Sequence, residues 1–214
     1  MRRNRREHNI KNIIIQYIAE NVRSYLILII IFFIGLMLGV VFVNNLNSTQ
    51  ETQITGYINN FISSIKENYQ ISTSKLLWNS ILNNVSIAII LWFLGLTIIG
   101  VPIIYLCIGY KGFGLGFTIA SCIATLGTGK GILFTILMLL LQNIILIPSI
   151  LTLATSGINV YKLIMEDRRR ENIKLQIAKH TVFSVLILGL LILSSIVETY
   201  ISGKIGIMLL KYMQ

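Results

Sequence analysis

The chain has 214 residues, 55% of them hydrophobic and only 12% charged, with a mean hydropathy of +0.78. That composition excludes a water-soluble globular domain, and several apolar stretches approach the roughly 20 residues that cross a bilayer core. The formal charge of +10 does not mark a nucleic-acid partner, because Lys and Arg gather beside the apolar stretches, where cytoplasmic flanks of membrane proteins carry them.

The pattern predicts an all-α fold: a polytopic membrane helical bundle of about five transmembrane helices, with amphipathic interfacial helices, in membrane lipid. Residues 1–24 hold Arg2, Arg3, Arg5, Arg6, Lys11 and Arg23 against Glu7 and Glu20. Within them Ile10, Ile13, Ile14, Tyr17, Ile18 and Val22 recur at helical spacing, which reads as a helix lying on the membrane surface. A basic topogenic tail accounts for the same residues. A full-length span follows without a small-residue cleavage site, so the N-terminus is expected to stay in the cytoplasm.

The first span is predicted over 25–43. Gly35 and Gly39 form a small-xxx-small pair that admits another helix closely, and Asn44 and Asn45 end it. Residues 44–84 are the one sizeable polar segment. Ile54, Ile58, Phe61, Ile62, Ile65 and Tyr69 share one helical face, and Ser72–Ser74 supply a capping signal before Leu76, Leu77 and Trp78. Two amphipathic helices at the outer face are expected, because roughly forty residues cannot build an independent core. They serve either as a docking surface or as packing on the protein's own bundle.

The second span is predicted over 85–108, with Gly95 and Gly100 in it and a kink at Pro102. Lys111 reads as a tight cytoplasmic connection. The third stretch, 112–126, opens on Gly112, Gly114 and Gly116 and reads as a short span, with a re-entrant segment as the alternative. Residues 131–165 are too long for one upright helix, reaching roughly 50 Å against a core of about 30 Å. A tilted helix kinked at Pro148 is expected there. A charged loop over 166–180 precedes a final span over 181–201, and a short tail follows.

The charge ledger tests this order. Of the 18 Lys and Arg, all but Lys66, Lys75, Lys130, Lys204 and Lys211 fall on one side. The positive-inside rule therefore expects a cytoplasmic N-terminus and an extracytoplasmic C-terminus.

Catalytic chemistry finds little support. Gly127–Gly131 lacks both the first glycine and the Ser/Thr of a phosphate-binding loop, and Gly112–Gly116 lacks the G-x-G-x-x-G spacing. Cys107 and Cys122 lie in apolar stretches without metal-ligand spacing. His8 and His180 stand apart from any second ligand, and the serines have no evident histidine partner. No enzyme activity, cofactor, metal or small-molecule substrate is expected. Three polar residues in predicted spans remain. Glu198 is a functional candidate by default, being a carboxylate within a span. Gln142 and Asn143 point about 100° apart on a helix and so address different neighbours. They are expected to fix helix packing rather than to carry transport.

The order of these features resembles the stage II sporulation protein M family of endospore-forming bacteria. The likeness runs through the basic start, Phe33-Ile34-Gly35 to Val43-Asn44, and Leu94-Gly95 to Gly100-Val101-Pro102. It continues in the Lys111–Phe117 glycine cluster, Gln142-Asn143 with Pro148, and Val197-Glu198-Thr199-Tyr200-Ile201. The resemblance implies a non-enzymatic membrane scaffold at the sporulation septum, in the engulfing mother-cell membrane. Its implied partners are the septal peptidoglycan hydrolases known as stage II sporulation proteins D and P. A transporter or permease-like subunit is the alternative, since Pro102 and Pro148 suggest broken helices.

Overall fold

A computed structural model describes residues 10–67, 73–97, 99–166 and 170–202. The arginines at 2–6, Tyr69, Ser72, Arg168, Arg169 and the 203–214 tail lie outside the described residues. Among those described, every regular element is helical. Five helices are long and apolar enough to cross a membrane.

Helix α1 (Ile10–Glu20) leads into α2 (Val22–Asn44) through a break at Asn21. There the Asn21 side chain donates to the Tyr17 carbonyl at 2.8 Å, taking an acceptor at the end of α1. Helix α2 rises roughly 35 Å, enough for a span. It ends at Asn44, and Asn45 folds back to donate to the Val41 carbonyl at 2.8 Å. Helix α3 (Ser48–Glu67) follows, and then α4 (Thr73–Gly95).

Here the structure corrects the predicted boundaries. Residues 73–84 are not a separate interfacial helix but the first turns of α4, and the candidate span begins at Ser74. Residues 85–108 are not one kinked span. The chain turns at 96–99 and starts α5 (Gly100–Leu126). Pro102 stands in the first turn of α5, where the missing N–H would have had no helical partner, so it starts a helix rather than kinking one. The turn depends on Gly100, because a Cβ there would lie 1.7 Å from the Leu94 carbonyl oxygen. Lys111 is no connection. It sits mid-helix in α5, and Gly112 to Gly116 continue the same helix. The predicted spans 85–108 and 112–126 thus become 74–95 and 100–126.

The long apolar run also divides. Helix α6 (Thr128–Thr135) passes into a π-helical turn at Ile136–Leu140 and then into α7 (Leu141–Glu166). The π-helical turn, rather than Pro148, separates the two pieces. Pro148 lies inside α7 on an exposed position. Helix α8 (Arg170–Val197) starts within the predicted loop and finishes in a second π-helical turn, Glu198–Ser202.

The bundle has two parts. The first is α2 and α5, running parallel in the closest helix pairing of the fold. An added Cβ would lie 2.1 Å from the Gly109 oxygen at Gly35 and 2.2 Å from the Phe113 oxygen at Gly39. From the other side, Gly112 would meet the Phe32 oxygen at 2.1 Å and Gly116 the Leu36 oxygen at 2.0 Å. Without side chains in the way, the two backbones touch and gain dispersion contact along several turns. The second part is α4, α7 and α8, with α7 central. Of its span window 61% is buried, against 17–33% for the other four. One apolar core joins the parts, with Leu28, Ile104 and Ile108 meeting Leu91, Leu146, Ile150, Leu153 and Leu191. Helix α3 lies on the bundle end nearest α6, its Ile58 packed against Cys122 and Phe134.

Candidate intramembrane polar site

The inward stripes of the helices decide where polar groups meet. On α5 the stripe is Ile104, Ile108, Lys111 and Leu115, spaced at one helical face. On α4 it is Ser80, Asn84, Ala88 and Leu91, and on α8 it is Ile187, Leu191, Ser195 and Glu198. On α4 and α8 the stripe is apolar through the middle and polar toward the end where α4 begins and α8 finishes, whereas on α5 its one polar residue, Lys111, stands mid-helix between Ile108 and Leu115. We call the end where α4 begins the upper end.

Polar side chains from α4, α5 and α8 with its π-helical turn gather there, with a backbone carbonyl from α7. Ser80 donates to the Glu198 carboxylate. One turn along, the buried Asn84 amide donates to the Ser195 hydroxyl at 2.8 Å and to the Leu191 carbonyl at 3.3 Å. Ser194 donates to the Gln142 carbonyl at 3.2 Å, and Thr199 to the Ser195 carbonyl at 2.9 Å. From α5 comes the half-buried Lys111, whose ammonium interacts electrostatically with Glu198. A lone charge in hydrocarbon has no such compensation. The two π-helical turns pack against each other beside this cluster, and π-helical turns inside α-helices recur at functional sites.

A second cluster closes the lower end. His180 and Ser156 are both buried, with His180 Nδ1 2.8 Å from Ser156 Oγ. The other ring nitrogen, Nε2, lies 3.4 Å from the Trp92 carbonyl. A carbonyl only accepts, so Nε2 carries the proton and Nδ1 accepts from the serine. The expectation that the serines lack a histidine partner is therefore corrected: α7 and α8 bring together residues 24 positions apart. The pair does structural work. His180 satisfies a carbonyl in the last turn of α4, one of those a helix end leaves without an internal partner. Gly95 makes room for it, since a Cβ there would come 2.9 Å from His180 Nε2 and 2.6 Å from Gly157 Cα. Trp92 donates to Thr181 at 3.2 Å.

Around them Tyr17 hydrogen-bonds Ser156 and Asn159. Burial, then the neighbouring Tyr25, push its phenol from 10.0 up to about 12. Three more bonds tie α2 and its leading break to α7: Asn159 to Asn21 at 2.6 Å, Tyr25 to Thr152 at 3.1 Å, and Lys162 to Ser24 at 3.3 Å.

Of the residues singled out in the sequence, Glu198 belongs to the upper cluster. Gly95 belongs to the lower one, and Gly35, Gly39, Gly112 and Gly116 to the α2–α5 contact. Gln142 reaches the upper cluster through its backbone carbonyl. Asn143 turns back on its own helix, donating to the Leu139 carbonyl at 2.7 Å beside the π-helical turn. Lys111, Ser80, Asn84 and the Ser156–His180 pair were missed. The i, i+4 spacing of Ser80 and Asn84 ahead of Ala88 and Leu91 was the signal available. Among the described residues, no group of three or more His, Cys, Asp or Glu side chains could hold a metal ion.

Helices of spanning length around one apolar core, with charged side chains turned inward, define a polytopic α-helical membrane protein. A family model described as Stage II sporulation protein M matches residues 28–203. The chain belongs to that family, and the match covers four candidate spans in full and most of the first. Membership makes it a sporulation-related membrane protein. Neither the search of curated proteins nor the search of solved structures returned a match.

Proposed function

We propose that the chain is a non-enzymatic scaffold of the engulfment machinery, holding septal peptidoglycan hydrolases at the mother-cell membrane. The observation that carries this reading is the family match across residues 28–203, which covers most of the bundle. The structure is compatible with a holding role. The polar groups of both clusters are largely tied to one another, and Gly35, Gly39, Gly112 and Gly116 are taken up by the α2–α5 contact. The surface left for partners is then α3 and the lipid-facing sides of the spans. On α3, Glu51, Thr52, Gln53, Tyr57 and Asn59 are exposed. In this reading the N-terminus is cytoplasmic and the C-terminus extracytoplasmic. Stage II sporulation proteins D and P are the partners, meeting the outer face.

Photo-crosslinking from positions 51, 53, 57 and 59 in sporulating cells tests it. Adducts with the two hydrolases are expected, and adducts with neither would refute it. The inward Lys111 and Glu198 favour a second reading as a transport subunit, because a bare scaffold has no need of intramembrane charge. Purified protein in liposomes would then show substrate-dependent flux, whereas the scaffold shows none.

A further inference from the structure

The outward faces of the spans are not alike. Those of α2 from Leu26 to Phe42 and of α8 from Val182 to Ile196 expose only apolar side chains and Gly189, as a surface against lipid requires. Helix α4 differs. Its buried Asn84, Ala88 and Leu91 turn inward, and the opposite side exposes Asn79, Asn83 and Ser86, followed by Ile90 and Phe93. The depth of these groups follows from Trp78, since an exposed tryptophan near the end of a span marks the boundary of membrane and water. With a rise of about 1.5 Å per residue, Asn83 lies roughly 7 Å below it and Ser86 roughly 12 Å, both within hydrocarbon. Elsewhere in the spans, asparagines have partners. Asn84 donates to Ser195 and Leu191, Asn143 folds back on the Leu139 carbonyl, and Asn159 donates to Asn21. The side chains of Asn79 and Asn83 make no hydrogen bond among the described residues. A bare amide in hydrocarbon is costly, so this face of α4 is one that lipid alone does not suit.

We propose that this face is the contact between two copies of the chain, related by a two-fold axis along the membrane normal. Complementarity selects the occupant. Copies inserted in the same orientation place Asn83 opposite Asn83 at equal depth, and Asn79 opposite Asn79. An amide carries both a donor and an acceptor, so each member of such a pair donates through Nδ2 to the other's Oδ1 and both groups are satisfied. Lipid tails, or a helix with no polar group at these depths, leave them bare. Positions 79, 83, 86, 90 and 93 step by four and three, which lines them along the seam of two parallel, left-handed helices. Ser86 is small enough to let the backbones approach, and Ile90 and Phe93 continue the contact toward the lower end. Lys75, the charged residue at the head of this face, precedes Trp78 at the water boundary, where two lysines stay solvated. The contact is isologous and closes at two copies. It uses no residue of α3, so the dimer carries that helix twice. This inference does not rest on the scaffold reading, since it concerns only what covers α4.

Disulfide trapping of the full chain in lipid vesicles tests this. The chain has two cysteines, so Cys107→Ala with Cys122→Ala gives a cysteine-free background. Ile90→Cys then reports on the seam while leaving both amides in place. Val182→Cys is the control, exposed on α8 at about the same level, since its neighbour Thr181 is bonded to Trp92. Under copper-phenanthroline oxidation at high lipid-to-protein ratio, Ile90→Cys is expected to give at least about five times the disulfide dimer of Val182→Cys. Adding Asn79→Leu and Asn83→Leu to Ile90→Cys is expected to lower the yield at least about threefold, because the interhelical hydrogen bonds are lost. Both positions are exposed and leucine suits a span, so the variant keeps its fold. Equal yields from positions 90 and 182 would mean random collision and overturn the dimer. A leucine pair that crosslinks as well as its parent would overturn it too, because the amides then hold nothing together.

Discussion

Two glycines two positions apart on α5 should behave in opposite ways. Gly112 faces α2, and a Cβ there would lie 2.1 Å from the Phe32 oxygen and 3.1 Å from the Leu36 nitrogen. Ordinary van der Waals contact begins near 3.4 Å. A methyl group therefore has to push the two backbones apart by about 1 Å, and the neighbouring contacts at Gly35, Gly39 and Gly116 open with it. Overpacking of this kind costs about 1–3 kcal/mol. The flexible end of a side chain cannot absorb it here, because the obstructing atoms are backbone. Gly114 has nothing within 4 Å of its virtual Cβ. Alanine there should be neutral or should stabilise the helix by roughly 0.4–1 kcal/mol. The Gly112→Ala and Gly114→Ala variants should thus differ by about 2–3 kcal/mol, or roughly 30- to 150-fold in the ratio of folded to unfolded protein. Reversible unfolding in mixed micelles, followed by tryptophan fluorescence, measures this. Equal stability of the two, or a greater loss at Gly114, would refute the backbone-to-backbone packing of α2 and α5.

Further outcomes follow from the same geometry. Pro102→Ala should change stability by less than about 1 kcal/mol in the same assay, since Pro102 starts α5 rather than kinking a span; a loss near 3 kcal/mol would restore the kinked-span reading. Asn84→Leu breaks bonds to Ser195 and Leu191 and should cost about 0.6–1.7 kcal/mol, the range of interhelical hydrogen bonds in membranes, as read by chemical denaturation. Tyr17 gives an alkaline signature. Its folded pKa of about 12 lies above the unfolded 10.0, so the folded state holds the proton more tightly. The associated stability is complete below pH 10 and is lost between about pH 10 and 12. Thermal melts across that window should fall less steeply in Tyr17→Phe, and superimposable slopes would rule out the buried phenol.

How much of this was legible in the sequence depended on the residue type. The helical membrane class and the five spans follow from long apolar runs, which hydrocarbon permits only as helices or closed barrels. The boundaries of the middle spans did not follow, because two residue types have opposite meanings in water and in membrane. Gly112, Gly114 and Gly116 beside Lys111 look like a turn in a soluble chain. Inside a bundle the glycines at 112 and 116 are contact points and the lysine is an inward charge. Glu198 was singled out, but nothing local relates it to a lysine 87 positions earlier (198 minus 111). The Ser156–His180 contact was hidden for the same reason, being made by two helices folding back on each other. Pro102 was read as a kink because Gly95 and Gly100 lie within one apolar run. Only the clash of a Cβ at Gly100 with Leu94 shows how sharply the chain turns there.

The pairing of α2 with α5 also sets the order in which the protein is built. Gly35 and Gly112 are 77 positions apart (112 minus 35), so the first span leaves the ribosome well before its partner exists. At a synthesis rate of about 5–20 residues per second, the glycine groove of α2 waits roughly 4–15 s in the bilayer with its bare backbone turned to lipid. A groove of that shape accepts any helix presenting small residues, including α2 of another nascent copy. Disulfide trapping of ribosome-bound chains that end before α5, with a cysteine at position 38, would catch such twins if they form. Only with α5 can the α2–α5 contact close, which makes the third span the step that completes this half of the bundle.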